Sequence, residues 1–430
     1  MSDRGTEKLR EEVNPVFNTA KACLQVMAEL GDTDAGVLME KMDIQSGMSI
    51  PAGEGMMSEM KEFVFQKLRP GLNIMIEARF SAANRLILES GFSRTVDLPC
   101  GYTSRGIRFS REDIRYFGMD LPAVIDAVAP AVRELIGVNE RISYHAVDAT
   151  NYTSLVRALT GEKEPGRRGS IGRANSDPKE GLLITTEGML MYLTQSELEQ
   201  VFMHMRRLLL EFGGKWITMD NELVKGQNRI LEVLMEGEDE AVRGQIARKT
   251  AGLFQVENRF FDENEAEHFV GEMGLCLEKV PLYDYLPEQL HSLEQLSDEK
   301  KQAVREVFKK VNLWVMTSGE GTISERSCEE KNFSAQMACI DGTLEVALSG
   351  RVDTLTAPSL LALYRETTDG RDIRRIIIDM KNLDYISSAG LRVLLIMHKA
   401  LGSGRRLQLI HLNENIRSIL KTTGFEGVFG

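Results

Sequence analysis

Thr95-Val-Asp-Leu-Pro-Cys-Gly-Tyr-Thr-Ser-Arg105 reads as a short buried strand running into a glycine turn, and Tyr116-Phe-Gly-Met-Asp-Leu-Pro122 follows as a second apolar strand ending on Asp120. A strand that runs into a tight turn, with an acid closing the next strand, seats a nucleotide-type cofactor at the carboxyl ends of a parallel sheet. Apolar runs at 95–98, 116–119, 142–147, 182–186, 215–219 and 311–317 alternate with helical segments. That alternation predicts an α/β, Rossmann-like sheet, mostly parallel and covered on both faces.

A pyrophosphate cradle needs glycines throughout its first turn so that backbone can approach the phosphates. Here Pro99 takes the place of the first glycine, and only Gly101 and Gly106 remain. The loop therefore favours a cofactor without a pyrophosphate, such as S-adenosylmethionine. Asp97 and Asp120 close the first two strands, and Asp148 closes the third in Ala146-Val-Asp-Ala149. A carboxylate at Asp120 is able to accept from two ribose hydroxyls, and one at Asp148 from an adenine amino group. Each acid alone also reads as a helix cap or a solvated strand end; three at successive strand ends point to a nucleoside.

With 430 residues, 43% of them hydrophobic and 27% charged, the chain has the composition of a globular protein of two or three domains. A formal net charge of -12 with no clustered Lys and Arg argues against nucleic acid as a partner. The five cysteines, at 23, 100, 276, 328 and 339, form no Cys-x-x-Cys pair, so neither a disulfide framework nor a metal site is expected. A polar N-terminus and the lack of a long apolar run predict no membrane span and a cytoplasmic location.

Residues 1–91 are expected to form a helical cap, with Val16, Ala20, Cys23, Leu24 and Met27 at helical spacing and breaks at Gly31, 51–55 and Pro70-Gly71. A packed cap and a lid with Met56 and Met57 in a mobile element both fit. Residues 92–318 are the sheet domain, in which Thr194-Gln-Ser-Glu197 is a capping box for a helix that stops at Gly213-Gly214. The stretch between 161 and 181 reads as a surface insertion; its Arg167-Arg168-Gly169-Ser170 has the form of a basophilic kinase target, a short pattern that also arises by chance. Residues 319–332 are polar and unpatterned, as an interdomain linker would be, and 333–430 read as a small α/β domain with a hairpin turn at Asp341-Gly342.

From about 70 to 318 the chain resembles the class I S-adenosylmethionine-dependent methyltransferases, specifically the leucine carboxyl methyltransferase and polyketide O-methyltransferase group. Besides Thr95 to Arg105, Met119-Asp-Leu-Pro122 and Thr186-Glu-Gly-Met-Leu-Met-Tyr-Leu193 carry the likeness, the last being the most specific. The resemblance implies that Asp97, Cys100 and Gly101 line the methionine tail of S-adenosylmethionine, Asp120 the ribose, Asp148 and Ala149 the adenine, and Glu187 and Gly188 the methyl-donor pocket, with Leu121 also among the cofactor-binding residues. Arg79 matches an arginine that grips the cofactor carboxylate, and Arg105 that of an Asp-Thr-Arg pattern in which Ser104 here replaces Thr. The implied reaction is O-methylation of a carboxyl or hydroxyl acceptor, with the acceptor pocket built from the N-terminal helices and the insertion between Val224 and Phe261. Alignment and exclusion of water then outweigh general-base catalysis. His145, in a strand, and His204, in a helix, are read as structural. Tyr192 is the candidate to orient an acceptor oxygen, the alternative being a buried core tyrosine.

The last hundred residues resemble a STAS domain, the fold of bacterial anti-sigma-factor antagonists, through Leu348-Ser-Gly-Arg-Val-Asp353, Ile376-Ile-Ile-Asp379 and Tyr385-Ile-Ser-Ser-Ala-Gly-Leu-Arg392. This implies a protein partner, an anti-sigma-factor-like serine kinase, and phosphorylation of Ser388. A phosphate at the start of a helix meets unpaired amides and the positive end of the dipole, and changes the surface charge by about -2. Ser387 or Ser388 serving only as the helix cap is the other reading. Two functions are thus open: an O-methyltransferase regulated or targeted through its STAS domain, or a signalling protein whose degenerate cofactor domain is a sensor or scaffold. The Pro99 loop divides them.

Overall fold

The computed structural model describes residues 15–44, 56–161, 180–237, 258–319, 321, 323–402, 404–425 and 428. The chain divides into two compact units, Met1–Gly319 and Glu320–Gly430. In the first, helices α1 (Pro15–Glu29), α2 (Thr33–Lys41) and α3 (Met56–Glu89) precede the sheet. Then come β1 (Arg94–Asp97), α4 (Arg105–Phe109), β2 (Arg115–Asp120), α5 (Pro122–Ile136), β3 (Ile142–Ala146), α6 (Tyr152–Thr160), β4 (Leu182–Thr186), α7 (Gln195–Phe212), β5 (Gly214–Thr218), α8 (Asp220–Leu234), α9 (Ala266–Glu272), β6 (Leu275–Pro281), α10 (Asp298–Phe308) and β7 (Asn312–Ser318).

The seven strands lie in the order β3-β2-β1-β4-β5-β7-β6. Strands β1 to β5 are parallel, and β7 runs antiparallel to both of its neighbours. Alternate side chains supply the two faces. Val96 stands beside Phe117 and Ile184, and Ile184 beside Trp216, a row buried under α7; Tyr116, Leu183 and Ile217 point the other way, into a core shared with α3. Because β1 is followed on one side by β2 and on the other by β4, the chain reverses direction across the sheet between β1 and β4. Ligands bind at such a switch point, outside the carboxyl ends of the strands.

The N-terminal helices are packed as a cap. Leu24, Val26, Met27, Ala35 and Leu38 share one buried cluster with Ile76 and Phe80 of α3, Ile107 of α4 and Val124 and Val128 of α5. The side chains of Val16, Ala20, Met56 and Met57, the 51–55 break, the Arg167 to Ser170 motif and residues 238–257 of the expected acceptor insertion lie outside the described residues.

Pro70 and Gly71 do not break the chain: α3 runs through both. A helix-interior proline costs about 3 kcal/mol or more, and the burial of Ile74, Met75, Ala78 and Ala82 on the following turns opposes that cost. Gly71 serves close packing, since a Cβ there would stand 2.8 Å from Cδ2 of Leu231 on α8. Gly214 is held more tightly still, with φ +113° and the Leu182 carbonyl oxygen 1.9 Å from where a Cβ would be. Strand β6 was not expected: it is an edge strand whose Glu278 and Lys279 are exposed, so no apolar run marks it.

The second unit comprises β8 (Ile323–Glu330), β9 (Phe333–Ile340), β10 (Thr343–Val352), α11 (Ala357–Thr368), β11 (Arg375–Ile386), α12 (Ser388–Leu401), β12 (Arg406–Ile410) and α13 (Glu414–Thr422). Its five strands lie in the order β12-β11-β10-β9-β8. The segment 319–332 is therefore no linker: β8 pairs antiparallel with β9 from Ile323 opposite Ile340 to Glu330 opposite Phe333. As an edge strand it exposes Glu325, Arg326, Glu329 and Glu330, and that solvated composition hides its pairing. Asp341 and Gly342 have φ of 46° and 82°, the left-handed pair that a two-residue hairpin turn requires. Ile376 and Ile378 of β11, Leu344 and Val346 of β10 and Leu394 and Met397 of α12 fill the core. Ile378→Ala is expected to cost about 2–5 kcal/mol, read as a lower urea midpoint for the full chain; an unchanged midpoint would contradict this packing.

Candidate functional site

Four charged side chains meet at the carboxyl ends of β1 and β4. Asp97, fully buried at the end of β1, accepts from Arg105 Nη1 at 3.0 Å, from the Tyr116 hydroxyl at 2.8 Å and from Thr185 Oγ1 at 3.1 Å. Arg105, only 1% exposed on α4, donates Nε to Asn84 Oδ1 at 2.8 Å and Nη2 to Glu187 Oε1, and its guanidinium lies 4.9 Å from the centre of the Phe80 ring. Glu187 Oε2 is ion-paired with Arg79 Nε at 2.9 Å, and Arg79 Nη2 donates to Cys23 Sγ at 3.3 Å. Two guanidinium groups and two carboxylates thus neutralise each other in one chain from Tyr116 to α1.

Burial opposes charge at Asp97, Arg105 and Arg79. It raises the Asp97 carboxyl above the ordinary range, against the pull of Arg105. At Arg105 burial works to lower the pKa, but Asp97 and Glu187 more than offset it and the net shift is upward. Arg79 is raised in the same way, by Cys23, Glu187 and Asp220 against burial. With three protein donors and no exposed surface, Asp97 anchors Arg105; it does not face the sheet edge.

Asp120 does face it. Its Oδ2 accepts from the Gly101 amide at 2.8 Å and its Oδ1 from the Leu121 amide at 2.7 Å, while the Leu121 side chain is exposed. Burial pushes the Asp120 carboxyl up to about 6, with the two amide bonds acting in the opposite sense. The Pro99 turn, with a cis Leu98–Pro99 bond, lies along β2: Cys100 N donates to Met119 O at 2.9 Å, and Gly101 has φ +53°. Buried beside Asp120, the Cys100 thiol is pushed well above its usual value.

At the end of β3, Asp148 Oδ1 accepts from the amide and hydroxyl of Thr150, at 2.9 and 2.6 Å. The carbonyl of Ala149 lies 3.0 Å from Nδ1 of buried His204, which is therefore a packing residue. His145 stacks on Phe117 with centroids 6.2 Å apart, and burial lowers its pKa. Tyr192, on the short turn Leu190–Tyr192, is 44% exposed, which removes the buried-core alternative.

Asp220 was missed. Fully buried at the start of α8, it accepts from the amides of Gly188, Met189 and Leu190 at 2.6, 2.9 and 2.9 Å and holds the turn that carries Glu187. The reasoning that singled out acids at three strand ends extends to it, since it follows the fifth strand. Asn84, Thr185 and Asn258 carried no such signal; their partners are 21, 88 and 68 residues away in sequence. In the second unit Ser387 is the cap of α12, its Oγ accepting from Gly390 N at 3.4 Å, while Ser388 is the exposed first residue of the helix.

The family model for the STAS domain matches residues 334–430. The chain belongs to the STAS domain family through this unit. Its relative BtrV of Bordetella bronchiseptica, described as an anti-sigma factor antagonist, is 38% identical over 91 residues, which are 21% of this chain and 78% of that protein. The parallel-rich sheet of the first unit resembles methyltransferase folds. Geranyl diphosphate C-methyltransferase from Streptomyces coelicolor A3(2), solved with S-adenosyl-L-homocysteine, is 14% identical over 55% of this chain and 76% of its own, with a TM-score of 0.28. Human N-acetylserotonin methyltransferase, solved with S-adenosylmethionine, is 11% identical over 69% of this chain and 70% of its own, with a TM-score of 0.30. Among the described residues no helix is long and apolar enough to cross a membrane, and no group of three or more His, Cys, Asp or Glu is arranged to hold a metal ion.

Removing the central cation leaves Asp97 buried with an uncompensated charge and Glu187 paired with Arg79 alone. Arg105→Met is expected to destabilise the protein by roughly 3–5 kcal/mol, and Arg105→Lys not to restore it, because an ammonium cannot span three acceptors. Urea denaturation of both variants tests this; wild-type stability in Arg105→Lys would contradict it.

Proposed function

We propose that the first unit binds S-adenosylmethionine at the carboxyl edge of β1 to β4 and transfers its methyl group to an oxygen of a small acceptor, and that the STAS unit links this activity to a protein partner. The observation that carries the reading is the placement of Asp120. After the Gly101 and Leu121 amides, each of its oxygens keeps a lone pair, which suits two ribose hydroxyls. The donor set fits the rest of the cofactor too: Leu121 offers an apolar surface beside the ribose, Asp148 and Ala149 stand at the next strand end for the adenine, and Arg79, Glu187 and Gly188 border the place for the amino-acid tail. When bound, the cofactor supplies an electrophilic methyl group on a sulfonium. This chain's contribution is to hold and align: Asp220 fixes the Gly188 turn, Arg105 fixes Glu187, and the cap helices limit water. Tyr192 is proposed to orient the acceptor.

A sensor without turnover is the second reading, favoured by the pairing of Arg79 with Glu187. A cofactor carboxylate has to compete with Glu187 for that guanidinium.

Calorimetry with S-adenosylmethionine separates the outcomes. Binding to the wild type and a loss of tenfold or more, about 1.4 kcal/mol, in Asp120→Ala are expected; no heat with the wild type sinks the methyltransferase reading. Hydroxyls donate to the anion, so protonating Asp120 opposes binding. With its carboxyl at about 6, affinity should hold at pH 7.5 and fall about tenfold per pH unit below 6. A pH-independent affinity removes Asp120 from the contact. Binding without transfer of labelled methyl to any acceptor in a cell extract favours the sensor.

For the second unit, a serine kinase of the anti-sigma-factor type is the proposed partner and Ser388 its target. Its exposed place in the first turn of α12 sets a phosphate against the helix dipole. Such a kinase should label the wild type and not Ser388→Ala; equal labelling excludes Ser388.

A further inference from the structure

The edge between β5 and β7 holds buried hydrogen-bond acceptors that no described residue satisfies. Glu222, in the first turn of α8, is 6% exposed; its Oε1 accepts from Trp314 Nε1 at 3.3 Å, and its Oε2 is buried with no hydrogen-bond partner among the described residues. Asn258 is 9% exposed, and its Nδ2 donates to the carbonyls of Leu190 and Leu193 at 3.2 and 3.1 Å. Those two bonds fix which end of the amide is which, so the unpartnered buried atom is Oδ1, an acceptor. Asn221 Oδ1, one residue before Glu222, is buried without a partner as well.

Their position ties them to the reaction site. Asp220 takes the amides of Gly188, Met189 and Leu190, while Asn258 holds the carbonyls of Leu190 and Leu193. Asn258 therefore holds the turn that carries Glu187 and Tyr192, and Glu222 follows two residues after Asp220, which holds the same turn from α8. A buried acceptor with no donor is costly, and a carboxylate most of all; such groups persist where a ligand or a bound water supplies the missing donor. Here the unpartnered atoms are all acceptors, and among the described residues no Lys or Arg is ion-paired to Glu222. A carboxylate brought to this place would add acceptors where donors are lacking.

We propose that Glu222 and Asn258 recognise the methyl acceptor, and that it presents a hydrogen-bond donor, an amine or a hydroxyl, and not a carboxylate. This rests on the methyltransferase reading: of the carboxyl and hydroxyl acceptors that the family likeness implies it keeps the hydroxyl, and an amine would be a recognition group beside the methylated oxygen. The groups act by binding and orienting. Trp314 donates to one oxygen of Glu222 and leaves the other for the ligand.

The test uses the full chain saturated with S-adenosyl-L-homocysteine and probes of matched shape: benzylamine, benzyl alcohol and benzoate, titrated by calorimetry. Benzylamine or benzyl alcohol should bind at least about tenfold more tightly than benzoate, and Glu222→Gln should remove about tenfold of that affinity, the effect of losing a charge-assisted hydrogen bond. S-adenosyl-L-homocysteine affinity, measured on the same variant, should stay within about twofold, so loss of the cofactor site is read separately from loss of acceptor recognition. The wild-type preference also stands as a test where the variant folds poorly. Benzoate binding as well as the other two, none of the three binding, or an affinity for the donor probes that Glu222→Gln leaves unchanged overturns the proposal.

Discussion

A guanidinium enclosed as completely as that of Arg105 persists only if carboxylates meet it, because an isolated buried charge costs far more than one domain's net stability. Asp97 and Glu187 meet it, and they come from the ends of the two strands between which the sheet changes direction. Asn84 and Phe80 bring α3 to the same group, and Arg79 extends the chain of charges to Cys23 on α1. One ion cluster therefore fixes β1, β4, α4 and the cap relative to one another. It ties these elements to one arrangement, as a buried polar network restricts alternatives.

Satisfaction is uneven across that edge, and the unevenness has chemical meaning. Asp97, Arg105 and Glu187 answer one another. Asp120 is only half answered, by two amides, and Glu222 and Asn258 each keep an acceptor with no described donor. Spare hydrogen-bonding capacity thus lies at Asp120, Glu222 and Asn258. Pro99, which removes a glycine from the usual turn, does not prevent the next two residues from reaching β2, since the Cys100 and Gly101 amides both find acceptors there.

Sequence patterns that depend on a few neighbouring residues were readable in advance. The Thr194 capping box closes with Glu197, Asp341-Gly342 makes its turn, and Asp120 stands at its strand end. Edge strands were not readable, because β6 and β8 expose charged residues that look like loop. Nor was the course of α3 through Pro70, where burial against the sheet overrides a local preference.

By itself the sequence determined which residues alternate into a covered parallel sheet, where strands give way to turns, and which acids close the strands. Those depend on period and on local backbone chemistry. Only the tertiary structure decided what each acid does. Asp97 turned inward to anchor Arg105 and Asp120 stayed at the edge, although both read alike along the chain, and Asp220, just past the fifth strand, went beneath the Gly188 amides. A carboxylate's role is set by which donors surround it and how much water remains, and its donors here come from residues far away in sequence.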